Sequence, residues 1–86
     1  MKLTNGVIFT ETEEGTILLD ARHGKYWHLN PTGVNVLRSV LAGEALRDVA
    51  TRLAHELGAD SAQVLEDCQV LLRNLTEARL VKGASN

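Results

Sequence analysis

The 86-residue chain carries nine Lys and Arg against eleven Asp and Glu, a formal net charge of −2. That balance argues against a nucleic-acid binder, whose affinity comes largely from pairing basic side chains with phosphates. Hydrophobic content of 44% with 23% charged residues excludes a disordered chain, and the length allows one domain with a single small core.

The first third reads as strands. Val7–Thr12 (VIFTET) is β-branched and aromatic before it switches to alternating Thr and Glu. Glu14-Gly15 follows as a turn. Thr16–Asp20 (TILLD) has three consecutive apolar residues, which suits a central strand buried on both faces. The loop DARHG then makes a hairpin, with Gly24 supplying a positive φ. Lys25–Leu29 (KYWHL) is the third strand. Loops this short force antiparallel neighbours, so a three-stranded meander is expected with the third strand at an edge.

The remainder reads as helices. Asn30 caps the first, and Pro31 at its first position loses nothing because that N–H would be unpaired anyway. Val34, Leu37, Val40 and Leu41 form its apolar stripe, and Gly43 ends it. The second helix carries Leu46, Val49, Ala50, Leu53 and Leu57 as another stripe of period 3.6 and stops at Gly58. The third begins at Asp60, with Gln63 three residues on as a capping box, and runs to about Arg79. Three strands followed by three helices is an α+β layout in which the helices must cover one face of the sheet. The second and third helices, joined by Gly58-Ala59-Asp60, form a helix-turn-helix pair. The whole is expected to be a winged helix with its sheet at the N-terminus, spanning residues 1–82, with the tail from Val81 frayed and 83–86 flexible.

No apolar run approaches membrane-spanning length, and the start of the chain has no apolar segment of signal-peptide length. A cytoplasmic location is expected. A single Cys68 makes no internal disulfide, in keeping with a reducing compartment.

On the third helix Leu65, Cys68, Leu72 and Leu75 share the core stripe, with Val64, Leu71 and Ala78 on its flank and Asp67 and Asn74 just beyond. The apolar arc is wider than one seam requires. Either the sheet and two helices together cover it, or the flank and the third strand form two walls of a groove. An apolar groove beside an open strand edge suits strand addition, in which a guest backbone pairs with the edge and its alternate side chains fill pockets. On that strand Tyr26 and His28 share one face; Lys25, Trp27 and Leu29 share the other, with Trp27 and Leu29 placed to lie against the helices.

The segment Gly24-Lys25-Tyr26-Trp27-His28-Leu29-Asn30-Pro31-Thr32-Gly33 resembles the pattern G-x-Y-[YWF]-x-L-N-x-[TS]-[GA] of the PqqD-like family, the RiPP precursor recognition elements. Ile17–Asp20 before the hairpin, Ala42–Leu46, Val49–Leu53 and the closing Leu80-Val81 fit too, so the resemblance covers nearly the whole chain. Within the family, a stand-alone chain of this length with YWHLNPTG looks most like the lasso-peptide leader-binding form, whose maturation protease is split. The resemblance implies capture of a precursor leader and its delivery to a separate cysteine-protease leader peptidase and then a cyclase. It also implies a leader lying antiparallel to the third strand and against the third helix, with a Tyr-x-x-Pro motif filling apolar pockets. The implied contacts are Lys25, Tyr26, Trp27, His28, Leu29 and Asn30 through the backbone, and the side chains of Val64, Asp67, Cys68 and Leu71. A peptide chaperone of pyrroloquinoline quinone synthesis, serving a radical-SAM enzyme, is the related alternative.

No catalytic constellation is visible, so no enzyme activity is expected. Cys68 on an apolar stripe reads as a small buried hydrophobe, with no His or Asp spaced to make it a nucleophile. His23, His28 and His55 lie on a loop, a strand and a helix, which is not metal-ligand spacing; neither metal nor cofactor is expected. Asp67 is a solvated helix residue or a partner for a basic leader residue. A winged-helix DNA binder would need a basic helix face, whereas the third helix offers Arg73 and Arg79 against Glu66, Asp67 and Glu77, and the second offers Arg47, Arg52 and His55 against Glu44, Asp48 and Glu56. No nucleic acid or membrane is expected as a partner; the open edge also allows pairing with a second copy.

Overall fold

The computed structural model describes residues 1–83; part of the flexible tail expected over 83–86 lies outside the described residues. The chain runs β1 (Lys2–Leu3), β2 (Val7–Thr12), β3 (Gly15–Asp20), β4 (Lys25–Leu29), α1 (Pro31–Leu41), α2 (Leu46–Leu57), α3 (Ser61–Glu77) and β5 (Val81–Lys82). Strands β2, β3 and β4 form an antiparallel sheet in that order, with β4 at one edge. The expected α+β winged helix-turn-helix is therefore present. A second, two-stranded ribbon joins β1 to β5, Lys2 opposite Lys82 and Leu3 opposite Val81. This corrects the frayed end expected at Val81 and Lys82: Val81 is buried in the core.

Registry explains the sheet's two faces. The inner rows are Val7–Asp20–Lys25, Phe9–Leu18–Trp27 and Glu11–Thr16–Leu29. They supply Val7, Leu18 and Leu29 to a core completed by Leu37 of α1, Leu72 and Leu75 of α3, and Leu80 and Val81. Burying each of these Leu side chains contributes about 1.5–3 kcal/mol. The outer rows, Ile8–Leu19–Tyr26 and Thr10–Ile17–His28, are uncovered by helix. Ile17 and Leu19 are only half-buried, so β3 is central without being dry on both faces. A second core lies between the helices: Val36, Val49, Ala50, Leu53, Ala54, Val64 and Cys68.

Element ends follow local chemistry. Asn30 accepts the Gly33 N–H at 2.6 Å and Pro31 occupies the first turn of α1. Gly58 closes α2 in the left-handed region at φ 66°, and Ala59 N–H bonds back to the Ala54 carbonyl at 2.9 Å. The capping box at α3 is absent. Asp60 stands at the cap position without a side-chain bond, and Gln63 donates to Glu66 and Asp67 instead. Side-chain partners one turn along the helix have displaced the reciprocal cap.

The β3–β4 hairpin turns on a buried carboxylate. Asp20 is 3% exposed. Its Oδ1 accepts the backbone N–H groups of Arg22 and His23 at 3.1 and 3.2 Å, and its Oδ2 lies 2.8 Å from His23 Nδ1. The His23 hydrogen bond, outweighing burial, holds this carboxyl below its ordinary value. A lowered folded-state pKa means the contribution is complete above the unfolded carboxylate range and is lost as pH falls through the folded value. Thermal melts of wild type and Asp20→Asn from neutral pH downward should therefore differ most at neutral pH and converge in acid; parallel curves would refute the assignment. Asn30→Ala should cost about 0.5–2 kcal/mol in denaturant unfolding by removing the α1 cap.

Candidate peptide-binding groove

Strand β4 presents a free edge. Among the described residues, the backbone of Lys25–Leu29 hydrogen-bonds only to β3. Its outward N–H and C=O groups are thus left to solvent or a partner. At its start, Lys25 Nζ donates to the Ala78 carbonyl at 3.1 Å. This satisfies an orphan carbonyl at the end of α3 and fixes strand and helix together there, with β4 running from the helix's C-terminal end toward its N-terminal half.

Beyond that clamp the walls part. A recess of about 390 Å³ opens at the far end of β4, lined by His28, Leu29 and Asn30, by Thr32, Gly33 and Val36 of α1, by Leu53 and Leu57 of α2, and by Val64, Asp67, Cys68 and Leu71 of α3. Its lining is mostly aliphatic, with His28, Asn30, Thr32 and Asp67 as polar groups and Asp67 the one formal anion. Gly33 matters to its shape. A Cβ there would stand 3.6 Å from the Leu29 and Leu71 methyls and 3.2 Å from Asn30 Oδ1, the atom that caps the helix.

Seven of the ten residues singled out from the sequence meet at this recess: His28, Leu29, Asn30, Val64, Asp67, Cys68 and Leu71. Lys25, Tyr26 and Trp27 do not; they lie along the strand toward the clamp. Trp27 packs on the core from the inner face, while Tyr26, 58% exposed, is on the outer face with its ring centroid 5.4 Å from that of His28. The faces are as alternation predicts. The third-helix stripe needs one adjustment, because Val64 is buried in the helical core whereas Leu65 is only half-buried. Sequence reasoning missed Thr32, Gly33, Val36, Leu53 and Leu57. Leu57 ends the α2 stripe, and the structure leaves it 59% exposed beside the recess, which the stripe alone does not reveal.

Cys68 is buried in the recess floor, and burial, with a smaller contribution from neighbouring Asp67, pushes its thiol up from the ordinary value. Among the described residues no three His, Cys, Asp or Glu side chains converge as metal ligands do, and no helix is long and apolar enough to cross a membrane.

A half-covered sheet whose last strand is open, flanked by the final helix of a helix-turn-helix pair, defines a winged-helix domain with a peptide-sized groove. The chain belongs to the PqqD family: residues 15–81 match the family's sequence model, described as coenzyme PQQ synthesis protein D. No curated protein matches it. Among solved structures it is similar to lasso peptide synthetase B1 complexed with the leader peptide, at 29% identity and a TM-score of 0.89, covering 95% of this chain and 96% of the other. It is also similar in fold to TbiB1 in complex with the TbiA(beta) leader peptide, at 22% identity and a TM-score of 0.82 over 100% of both chains.

Labelling by a thiol reagent at neutral pH checks the buried thiolate-poor state of Cys68. The native protein should react at least about tenfold more slowly than the urea-unfolded chain, where the thiol is free and near its ordinary pKa. Equal rates would place Cys68 outside the floor.

Proposed function

We propose that this chain is a non-catalytic leader-binding protein of lasso-peptide biosynthesis. The observation that carries the reading is the continuity of the open β4 edge with the aliphatic recess beneath Leu71. A guest strand pairing with Lys25–Leu29 delivers alternate side chains toward α3, and residues beyond the end of the strand meet the recess. Solved relatives of the same fold bound to leader peptides support it. The contacts assigned are the backbone from Lys25 to Asn30 and the side chains of Val64, Asp67, Cys68 and Leu71, joined by Gly33, Val36, Leu53 and Leu57.

Binding of this kind presents a substrate rather than transforms it. The chemistry then falls to a separate cysteine-protease leader peptidase and a cyclase acting in the cytoplasm, while the domain fixes which precursor they receive. An unoccupied β4 edge also admits pairing with a second copy, which leader would displace. The family description favours a second reading, a chaperone for the precursor of pyrroloquinoline quinone; the identity of the peptide bound separates the two.

Titration with labelled lasso leader peptides should saturate with a Kd between about nM and µM, the range open to strand addition with one or two anchored side chains. Amide shifts should concentrate on Lys25–Asn30. Leu71→Glu should weaken binding by at least about tenfold by placing a charge in an apolar wall, with the helical circular-dichroism signal retained. Saturable binding that leaves the β4 amides unmoved would refute the site; absence of binding by any lasso leader would refute the function.

A further inference from the structure

The chain is acidic overall, yet one end is not. Five of its nine basic residues, Lys2, Arg22, Lys25, Arg79 and Lys82, are exposed and belong to segments that contact one another at the clamp end of β4. Lys2 faces Lys82 directly across the β1–β5 ribbon. Thr4 N–H bonds the Leu80 carbonyl, and Ala21 N–H bonds the Gly6 carbonyl. The Arg22 side chain lies over Gly6, its stem 3.0 Å from where a Cβ would stand. Lys25 reaches Ala78, next to Arg79.

Two features mark this end as more than a solvated surface. Like charges directly opposite on paired strands repel, so the Lys2–Lys82 pair costs stability. And among the described residues the ion pairs are His23–Asp20 and Arg52–Glu44, so none of the five has a carboxylate partner. The acidic groups on the same segments are Asp20, buried and held by the hairpin turn, and Glu77 on the last turn of α3. The opposite end of the groove has the reverse sign, with Asp67 in the recess and Glu66 and Asp60 on the same stretch of helix.

We infer that the basic end is a second recognition surface for the same guest, and that it takes an acidic segment immediately downstream of the stretch that pairs with β4. The inference rests on the leader-binding reading and on an antiparallel guest. Such a guest pairs its earlier residues with Leu29 and its later ones with Lys25, so the chain leaves the groove beside Lys25 and runs onto the five cations. The apolar recess anchors the guest, and the charged end sets its direction: a guest threaded the other way would bring its carboxylates to Asp67. Exposed ion pairs are individually weak and screened by salt, so the end contributes orientation and a modest gain in affinity.

The test uses one groove-binding leader peptide in three forms: with four glutamates added downstream of the strand segment, with four serines there, and with the glutamates moved upstream. At low salt the downstream-glutamate form should bind roughly three- to thirtyfold tighter than the serine form, and the gain should vanish near 1 M salt. In Lys2→Glu/Lys82→Glu, the downstream glutamates should lose their advantage while the serine form binds as to wild type. That unchanged affinity also shows that the variant folds; should it not fold, Arg22→Glu replaces it. An upstream advantage equal to the downstream one, or a gain that survives charge reversal, overturns the inference. So does duplex DNA competing with the serine form as well as with the glutamate form, which would make the cations a phosphate surface. Failure of the serine form to bind wild type strikes the groove reading instead. A free glutamate-rich peptide then decides whether the basic end binds carboxylates at all, and no salt-sensitive binding of that peptide removes the surface too.

Discussion

Everything in this domain is arranged around a row of backbone donors and acceptors that the protein leaves unpaired. A sheet of three strands has two edges, and an exposed edge invites association with any extended chain. At β4 the rest of the fold frames that edge. Helix α3 stands beside it, the Lys25–Ala78 hydrogen bond holds strand and helix together at one end, and the Asn30 cap turns the chain sharply into α1 at the other. Between these fixed points the edge is short, and the recess at its far end is walled by side chains that include Leu71, Val64 and Cys68. On the leader-binding reading proposed above, affinity comes from the backbone and specificity from that wall.

Much of this was legible before any coordinates. Asn30-Pro31 states its helix start in two residues, and period-2 alternation places Tyr26 and Trp27 on opposite faces. Loop lengths alone force the meander that leaves Lys25–Leu29 at the rim. These are local rules, and local rules are readable in sequence. The misses share the opposite character. The β1–β5 ribbon joins Lys2–Leu3 to Val81–Lys82, two-residue strands from opposite ends of the chain, too short for any periodicity to register. The contribution of Leu53 and Leu57 to the recess depends on how α2 crosses α3, which a stripe on either helix does not reveal. Asp60 and Gln63 matched a capping pattern, but Gln63 found carboxylates one turn further on.

The family likeness and the physical reading inform different parts of the molecule. The motif from Gly24 to Gly33 carries the clearest resemblance, though the family match spans residues 15–81, and the motif's residues are chiefly those that end a strand and start a helix. The recess wall on α2 and α3 is built from aliphatic positions. The fold itself persists at 22% identity, with a TM-score of 0.82.

The small ribbon has an architectural consequence. By pairing residue 2 with residue 82 it brings the chain's entrance and exit side by side, next to the hairpin and away from the recess. Another polypeptide attached on either flank departs from that same pole and leaves the docking rail unobstructed. A unit wired in this way can be joined to a larger protein on either side with its open β4 edge in the same geometry each time.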